Sequence, residues 1–416
     1  MNLTPENETH ANARNALIAG FLGWTLDAFD YFILVFILIP VARDFHESIP
    51  HIALTLTASL AMRPVGAFLF GLMADRYGRR LPLMLDVLFY SVIEILSGFA
   101  PNYTTFLILR LLYGIGMGGE WGVGASLAME AAPPKWRGIL SGLLQEGYAL
   151  GFLLAAVAYW TVFPHWGWRP MFFIGGLPAL LTLFIRTKVK ESDAWKSTAA
   201  EKMEWSSYFR DVRENWKRFA FFVMLMAMMN FISHGTQDLY PTFLQQQRHF
   251  SPRLTSIITV ISMIGAIAGG IAFGLYSDRR GRRRAMITAV LAALVLVPLW
   301  IFAPGIALIT AGAFLMQFMV QGAWGVIPAH INELSPDRLR GFFPGFAYQL
   351  GVLIASTAPF LEAELSKNFG YANAMGAFGA ATLLVAAIVI FAGPEAHRVA
   401  FGIRSAEQSS GPSAEP

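Results

Sequence analysis

Gly71-Leu72-Met73-Ala74-Asp75-Arg76-Tyr77-Gly78-Arg79-Arg80 returns 203 residues later as Gly274-Leu275-Tyr276-Ser277-Asp278-Arg279-Arg280-Gly281-Arg282-Arg283, with its Gly, Asp-Arg and Gly-Arg-Arg frame intact. Two further matches keep that shift: Trp121 in Gly-Glu-Trp-Gly against Trp324 in Gly-Ala-Trp-Gly, and Arg137-Gly138 against Arg340-Gly341. Matches that share one register mark a duplicated chain, and a duplication governs how every other motif is read. The glycines argue that these loops do more than carry charge, since a short loop needs Gly where the backbone turns tightly or meets a neighbour. Glu130 and Glu333 keep the same spacing beside the basic loops, and they read as an ion-pair latch that breaks and reforms.

Around these loops the chain is apolar. It has 416 residues, 55% hydrophobic and 14% charged, where a soluble protein carries roughly 25% charged residues. Runs such as Ile33 to Pro40, Ala285 to Pro304 and Ala377 to Gly393 lie in segments that reach the ~20 residues of a membrane helix. Twelve such segments begin near Ala16, His51, Leu81, Tyr103, Ile139, Pro170, Arg218, Leu254, Ala285, Gly305, Phe342 and Tyr371. We refer to them as spans 1 to 12. No charged leader with a short apolar core and a cleavage site opens the sequence, so span 1 is expected to stay in the mature protein.

The expected architecture is an all-α membrane protein, with twelve transmembrane helices in two pseudo-symmetric six-helix bundles. An even number of spans per half makes the repeats parallel, with a substrate site between them near the midplane. The bundles are expected at residues 1–186 and 218–393, joined by a solvated connector at 187–217 with Glu191, Asp193, Lys196, Glu201, Lys202 and Glu204. A tail covers 394–416, and its Ser, Gly, Pro and Glu content from Ser405 onward reads as disordered.

Lys and Arg gather on one side, at Arg76, Arg79 and Arg80, Lys135 and Arg137, Arg186 to Lys202, Arg279 to Arg284, and Arg338 and Arg340. The other side has scattered bases such as Arg43, Arg169, Arg248, Arg253 and Lys367. The positive-inside bias then makes both termini cytoplasmic. The net charge of +4 belongs to membrane loops and implies no nucleic-acid partner. Cysteine is absent, which excludes disulfides, thiolate metal sites and cysteine nucleophiles. No nucleophile–base pair, metal cluster or phosphate loop is found in the sequence, so neither an enzyme nor a cofactor is expected.

The two Asp-Arg-x-Gly-Arg-Arg loops, after spans 2 and 8, resemble the signature of the major facilitator superfamily, over nearly the whole chain. That resemblance implies two bundles that rock about a central site, with Asp75, Arg76, Glu130, Arg137, Asp278, Glu333 and Arg340 as gating residues.

An ionisable residue inside a span costs about 2.5–3.5 kcal/mol on insertion scales and is a functional hypothesis by default. Asp27 and Asp30 share a face of span 1, Arg63 lies in span 2, Arg110 and Glu120 in span 4, and Glu146 in span 5. Span 7 reads Asn230-Phe231-Ile232-Ser233-His234-Gly235-Thr236-Gln237-Asp238. Asn230, Ser233, His234, Gln237 and Asp238 fall on one helical stripe, expected to face a water-filled cavity. The 203-residue shift pairs Asp27 with Asn230, Asp30 with Ser233 and Glu146 with Gln349, so the polar faces of spans 1 and 7 are expected to be equivalent. Tyr148 and Tyr348 are weaker candidates that pack equally well without a role. The glycines of span 4 read as close helix contacts.

The span 7 stripe, followed by Thr242, resembles the signature of lactate and pyruvate proton symporters in the sialate:proton symporter family. Asp27, Asp30 and the Gly-Gly-Glu-Trp-Gly of span 4 also resemble that family, although aromatic-acid symporters share similar patterns. The short tails and compact connector depart from the fungal members and suggest a bacterial inner-membrane protein. The expected partners are lipid, protons and a small carboxylate, with the chain as a monomer. A carboxylate needs a forked cation, which Arg63 supplies; the competing reading is that Asp27 or Asp30 neutralises it. Asn230, His234, Gln237 and Gln349 complete the expected substrate contacts. His is the side chain whose ordinary range lies near neutrality, so His234 is a candidate proton carrier, with Asp238, Asp27, Asp30 and Glu146 as alternatives. Rival readings are a symporter for sialic, aromatic or other larger acids, and a transporter-like ligand sensor.

Overall fold

In a computed structural model, residues 5–199 and 204–401 are described, and every regular element among them is helical. Glu201, Lys202 and the tail from Ser405 lie outside the described residues. Span 1 is Pro5–Asp44, span 2 Ile49–Tyr77, span 3 Arg80–Gly98 and span 4 Tyr103–Ala131. Span 5 is Arg137–Gln145 continued by Gly147–Thr161, and span 6 is Arg169–Ile174 continued by Ala179–Lys188. Two connector helices, Asp193–Ala199 and Trp205–Glu214, lead to span 7, which is Trp216–Gln237 continued by Tyr240–Gln246. Spans 8, 9 and 10 are Pro252–Arg280, Arg282–Phe302 and Ile306–Leu334. Span 11 is Phe343–Ala355 followed by residues 358–369; Gly370, at φ +75°, turns the chain into span 12 at residues 371–392.

Ten stretches are long and apolar enough to cross a membrane by length and composition. One of them, Phe343–Ala392, joins spans 11 and 12. Span 4, which carries Arg110, Glu120 and a run of glycines, is not among the ten. These two facts reconcile ten with twelve. Side-chain caps start three of the spans: Ser48, Asn102 and Ser251 accept from the backbone N–H of His51, Thr105 and Leu254, meeting donors that a helix start leaves unpaired.

The two basic loops turn on Gly78 at φ +94° and Gly281 at φ +96°, where a side chain would be strained. Span 4 lies directly on span 2: a Cβ at Gly114 would come 2.1 Å from the Ser59 carbonyl oxygen, and one at Gly118 would come 1.9 Å from that of Arg63. Span 8 meets span 10 the same way, at Gly269 against the Phe318 carbonyl oxygen. The expected close contact through glycine is therefore present in both halves.

The bundles meet along the basic-loop half of the molecule. The first half of span 5 packs on spans 8 and 10, and the first half of span 11 packs on spans 2 and 4. Gly122 faces Gly345 across this seam, and Gly142 faces Gly270. Beyond it, Gly147–Thr161 packs on span 1, and residues 358–392 pack on spans 7 and 9, each within its own bundle.

Candidate functional site

The duplicated loops form two cross-bundle latches. Asp75 Oδ1 accepts from the backbone N–H of Gly341 at 2.7 Å, and Oδ2 from that of Phe342 at 3.2 Å. In the other half, Asp278 accepts from Gly138 at 2.8 Å and Ile139 at 3.0 Å. Each carboxylate thus meets free N–H groups where a helix of the opposite bundle begins, the end that favours negative charge. Arg79 donates to Asp75 and Glu130 at 2.9 Å each, and Arg340 lies 3.5 Å from Glu130. The second copy has Arg282 on Asp278 at 2.8 Å and on Glu333 at 2.9 Å, with Arg137 on Glu333 at 2.9 Å.

Six of the seven expected gating residues come together in this way. Arg76 lies instead over the rings of Trp205 and Tyr77. Arg79 and Arg282, read from sequence only as orienting charge, fill the latch, because the φ-positive Gly before each turns it inward.

Helices outside the bundles reinforce the latch. Tyr208 of the second connector helix donates to Asp75 at 3.0 Å, and Trp195 of the first donates to the Asp75 carbonyl at 2.8 Å. Burial, and then the Asp75 carboxylate, push the Tyr208 hydroxyl far above its ordinary value, so it remains a donor. Glu191 caps span 3 through the N–H groups of Arg79 and Arg80, and Glu395 caps span 9 through those of Arg282 and Arg283. Beyond span 12 the chain crosses the seam: the Val399 carbonyl accepts from Arg137, and Phe401 lies 3.9 Å from both Arg137 and Arg340.

At mid-depth, Arg63 is 5% exposed, and its Nε and Nη2 have no hydrogen-bond partner. Neither Asp27 nor Asp30 reaches it as an ion pair, since all four of their oxygens are without partners. Its guanidinium lies 5.9 Å from the Tyr348 ring. Tyr348 in turn touches Trp121 at 4.4 Å, Trp324 at 5.9 Å and Trp24 at 6.3 Å. The paired tryptophans of the repeat therefore converge on one tyrosine, and Tyr148 stacks on Trp24 at 5.6 Å. Gln349 is buried and donates to the Gly118 carbonyl at 3.4 Å. Glu146 breaks span 5 and reaches the other bundle, where a Cβ at Gly270 would lie 2.1 Å from its Oε1.

On span 7, His234 Nδ1 and Asp238 Oδ2 are 3.0 Å apart, each side chain 35% exposed. Gln237 donates to Gln317 at 2.7 Å, Gln321 donates to Ser233 at 3.3 Å, and buried Asn230 donates to the Met226 carbonyl at 2.8 Å. Thr236, Gln237, Ser262, Trp300 and Gln317 line a small, partly open pocket.

Span 1 departs from the expected equivalence. Asp27 and Asp30 are fully buried, and they point into their own bundle instead of a wet crevice. A Cβ at Gly175 of span 6 would meet Asp30 Oδ1 at 2.8 Å and Glu94 Cβ at 3.4 Å. Glu94 itself pairs with Arg110 at 2.8 Å. Spans 3, 4 and 6 offer span 1 a polar interior that the repeat arithmetic had no means to register. Sequence reading also missed Asp86, Glu94 and Glu362, all of them buried acids. For Asp86 and Glu94, isolation in an apolar run was the available signal; Glu362 lies two residues from the exposed Glu364 and gave none. Among the described residues no group of His, Asp and Glu forms a metal cluster.

Comparison with known proteins fits this geometry. Residues 20–251 and 239–411 match the family described as Major Facilitator Superfamily. The chain is 31% identical over 380 residues to the "Carboxylic acid transporter protein homolog" of Saccharomyces cerevisiae, which covers 85% of this chain but 62% of that longer relative. It is 31% identical over 411 residues to the "Probable 4-methylmuconolactone transporter" of Cupriavidus pinatubonensis, 96% of this chain and 95% of that one. Against the "Sialic acid transporter NanX" of Escherichia coli it is 30% identical over 361 residues, 86% and 88% of the two chains. The fold matches the proton:xylose symporter XylE bound to 6-bromo-6-deoxy-D-glucose with a TM-score of 0.76 at 19% identity, over 96% of this chain and 99% of that one. A duplicated six-helix bundle whose loops latch across a central seam, matched over nearly its whole length, belongs to the Major Facilitator Superfamily of multi-pass membrane transporters.

Proposed function

We propose that the protein is a proton-coupled symporter for an organic carboxylate, with short monocarboxylates such as lactate or pyruvate as its first candidates. The observation that carries this reading is the buried guanidinium of Arg63, which has no carboxylate paired with it and whose Nε and Nη2 have no hydrogen-bond partner. A buried cation without a counter-charge is costly, and a carboxylate anion relieves that cost with two parallel hydrogen bonds. His234 and Asp238, Asn230, Gln237 and Gln349 are assigned to the same crevice, and His234, Asp238, Asp27, Asp30 and Glu146 to proton handling. Protonation and anion binding occur while the latches are closed, the bundles rock, and release follows on the basic-loop side. We assign that side to the cytoplasm, with both termini there, in a bacterial inner membrane. The carrier is a monomer, with bundles at 1–186 and 218–393.

The relatives named for methylmuconolactone and sialic acid support a second reading, that of a larger acid. Tyr348 and Tyr148 provide ring faces near Arg63 for such a substrate. Uptake of labelled lactate into proteoliposomes, with and without an inward proton gradient, tests the first reading. Competition by benzoate, nicotinate and sialic acid tests the second. Absence of gradient-dependent uptake of any of these acids refutes both.

A further inference from the structure

Span 11 carries an acid that the site described above does not use. Glu362 is fully buried, and neither Oε1 nor Oε2 has a hydrogen-bond partner among the described residues. Its carboxyl lies against span 7 at Gly235, where an added Cβ would come 3.4 Å from Oε1. Gly235 sits between His234 and Asp238 in the chain, so the acid backs directly onto that dyad. The charge that acts on Glu362 is that of Asp238. Span 12 contributes the Phe378 ring at the same spot and has no Asp, Glu, His, Lys or Arg between 371 and 392. On span 11 itself, Glu364 and Lys367 are exposed and paired with each other at 2.6 Å.

We propose that Glu362 carries the coupled proton, backed against Gly235 behind the His234–Asp238 dyad; this rests on the symport reading above. A coupling group must link protonation to closure. His234 and Asp238 are wetted, and a wet pair exchanges protons with solvent whichever way the bundles lean. Glu362 is dry. As the neutral acid it leaves a monocarboxylate facing Arg63 and adds no charge of its own beside Asp238 and His234 when the crevice closes. Ionised, it adds a second negative charge beside Asp238 with neither donor nor cation to meet it, which a water-free site opposes strongly. Closure is therefore tied to the proton. One proton enters from the open side, stays on the carboxyl during transit and leaves when water reaches it from the other side.

Glu362→Gln holds the neutral form permanently. In proteoliposomes the variant is expected to exchange labelled substrate across the membrane, while gradient-driven accumulation falls to the level seen without a gradient. Its exchange rate is expected to lose its dependence on pH, whereas Glu362→Asp keeps gradient-driven accumulation. Gradient-driven accumulation by Glu362→Gln equal to that of the unaltered protein overturns the proposal. If the unaltered protein itself accumulates none of the tested acids, the symport reading fails instead. Should Glu362→Gln not fold, the unaltered protein is treated with dicyclohexylcarbodiimide, which condenses with protonated carboxyls in apolar surroundings. Peptide mass analysis is expected to find the adduct on Glu362, forming more slowly as pH rises. A Glu362 left unmodified across the pH range overturns the assignment.

Discussion

Replacing Asp75 by Asn tests whether the basic-loop seam is a gate. The side chain keeps its size and loses its charge. Asp75 now holds four donors, of which two, the N–H groups of Gly341 and Phe342, belong to the opposite bundle. Those two bonds must break when the seam opens, whereas the Arg79 bond stays within its own bundle. A hydrogen bond to a charged group contributes about 1.5–3 kcal/mol. Asn retains one acceptor, so about one such bond is lost from the closed state. At a factor of ten per 1.4 kcal/mol, the closed seam is expected to weaken roughly 10- to 150-fold relative to the open one. The chain has no native cysteine, so the exposed positions Lys188 and Arg284 can be changed to Cys and spin-labelled without removing other thiols. Pulsed electron resonance then reads the distance between bundles directly. The Asp75→Asn protein is expected to add a longer-distance population on the basic-loop side. An unchanged distance distribution, in a protein that folds normally, refutes the latch.

Arg63→Lys retains the charge but not the fork, and is expected to weaken substrate binding at least about tenfold, as a bidentate pair becomes a single contact; Arg63→Ala is expected to abolish transport, and wild-type uptake by it removes Arg63 from the site. Gly118→Ala forces a methyl group onto the Arg63 backbone and is expected to cost at least about 1–3 kcal/mol of stability, visible as a lower melting temperature in detergent. Phe401→Ala removes two cation–π contacts of about 0.5–1 kcal/mol each, and is expected to favour the open seam in the same resonance measurement, less than Asp75→Asn does. Tyr208→Phe deletes one donor to Asp75 while leaving every residue of the two bundles unchanged; a small shift toward the open seam is expected, and none at all denies the connector a part in gating.

The fold was legible because its determinants are periodic and local. Hydrophobic run length marked the spans, and one constant shift tied Gly71–Arg80 to Gly274–Arg283 before any contact was known. The ion-pair cluster at the seam was legible to the depth at which charge can be assigned to loops, which is why Asp75, Glu130 and their mates were singled out and do meet. Which arginine turns inward depends on the positive φ of Gly78 and Gly281, so Arg79 could not be separated from Arg76 by sequence alone. Glu94 and Glu362 stayed hidden for a related reason: Glu94 is one acid in an apolar helix and Glu362 one of two acids beside Lys367, and the meaning of each depends on the face it presents. Only packing reveals that Glu94 meets Arg110 while Glu362 meets the backbone of Gly235.

The two halves agree closely at the gate and part company at mid-depth, and that contrast bears on mechanism. Asp75 and Asp278, Arg79 and Arg282, Glu130 and Glu333, and Arg137 and Arg340 make matching contacts, as closing a two-sided seam requires, since each bundle must grip the other. Along spans 1 and 7 the paired positions differ: Asp27 and Asp30 are sealed inside one bundle, while His234 and Asp238 remain one-third exposed. A cavity lined identically on both walls would place like charges opposite one another. On the proposed function, the unequal lining sets Arg63 on one bundle and the His234–Asp238 pair on the other, so that an anion between them draws the walls together only when the charges balance.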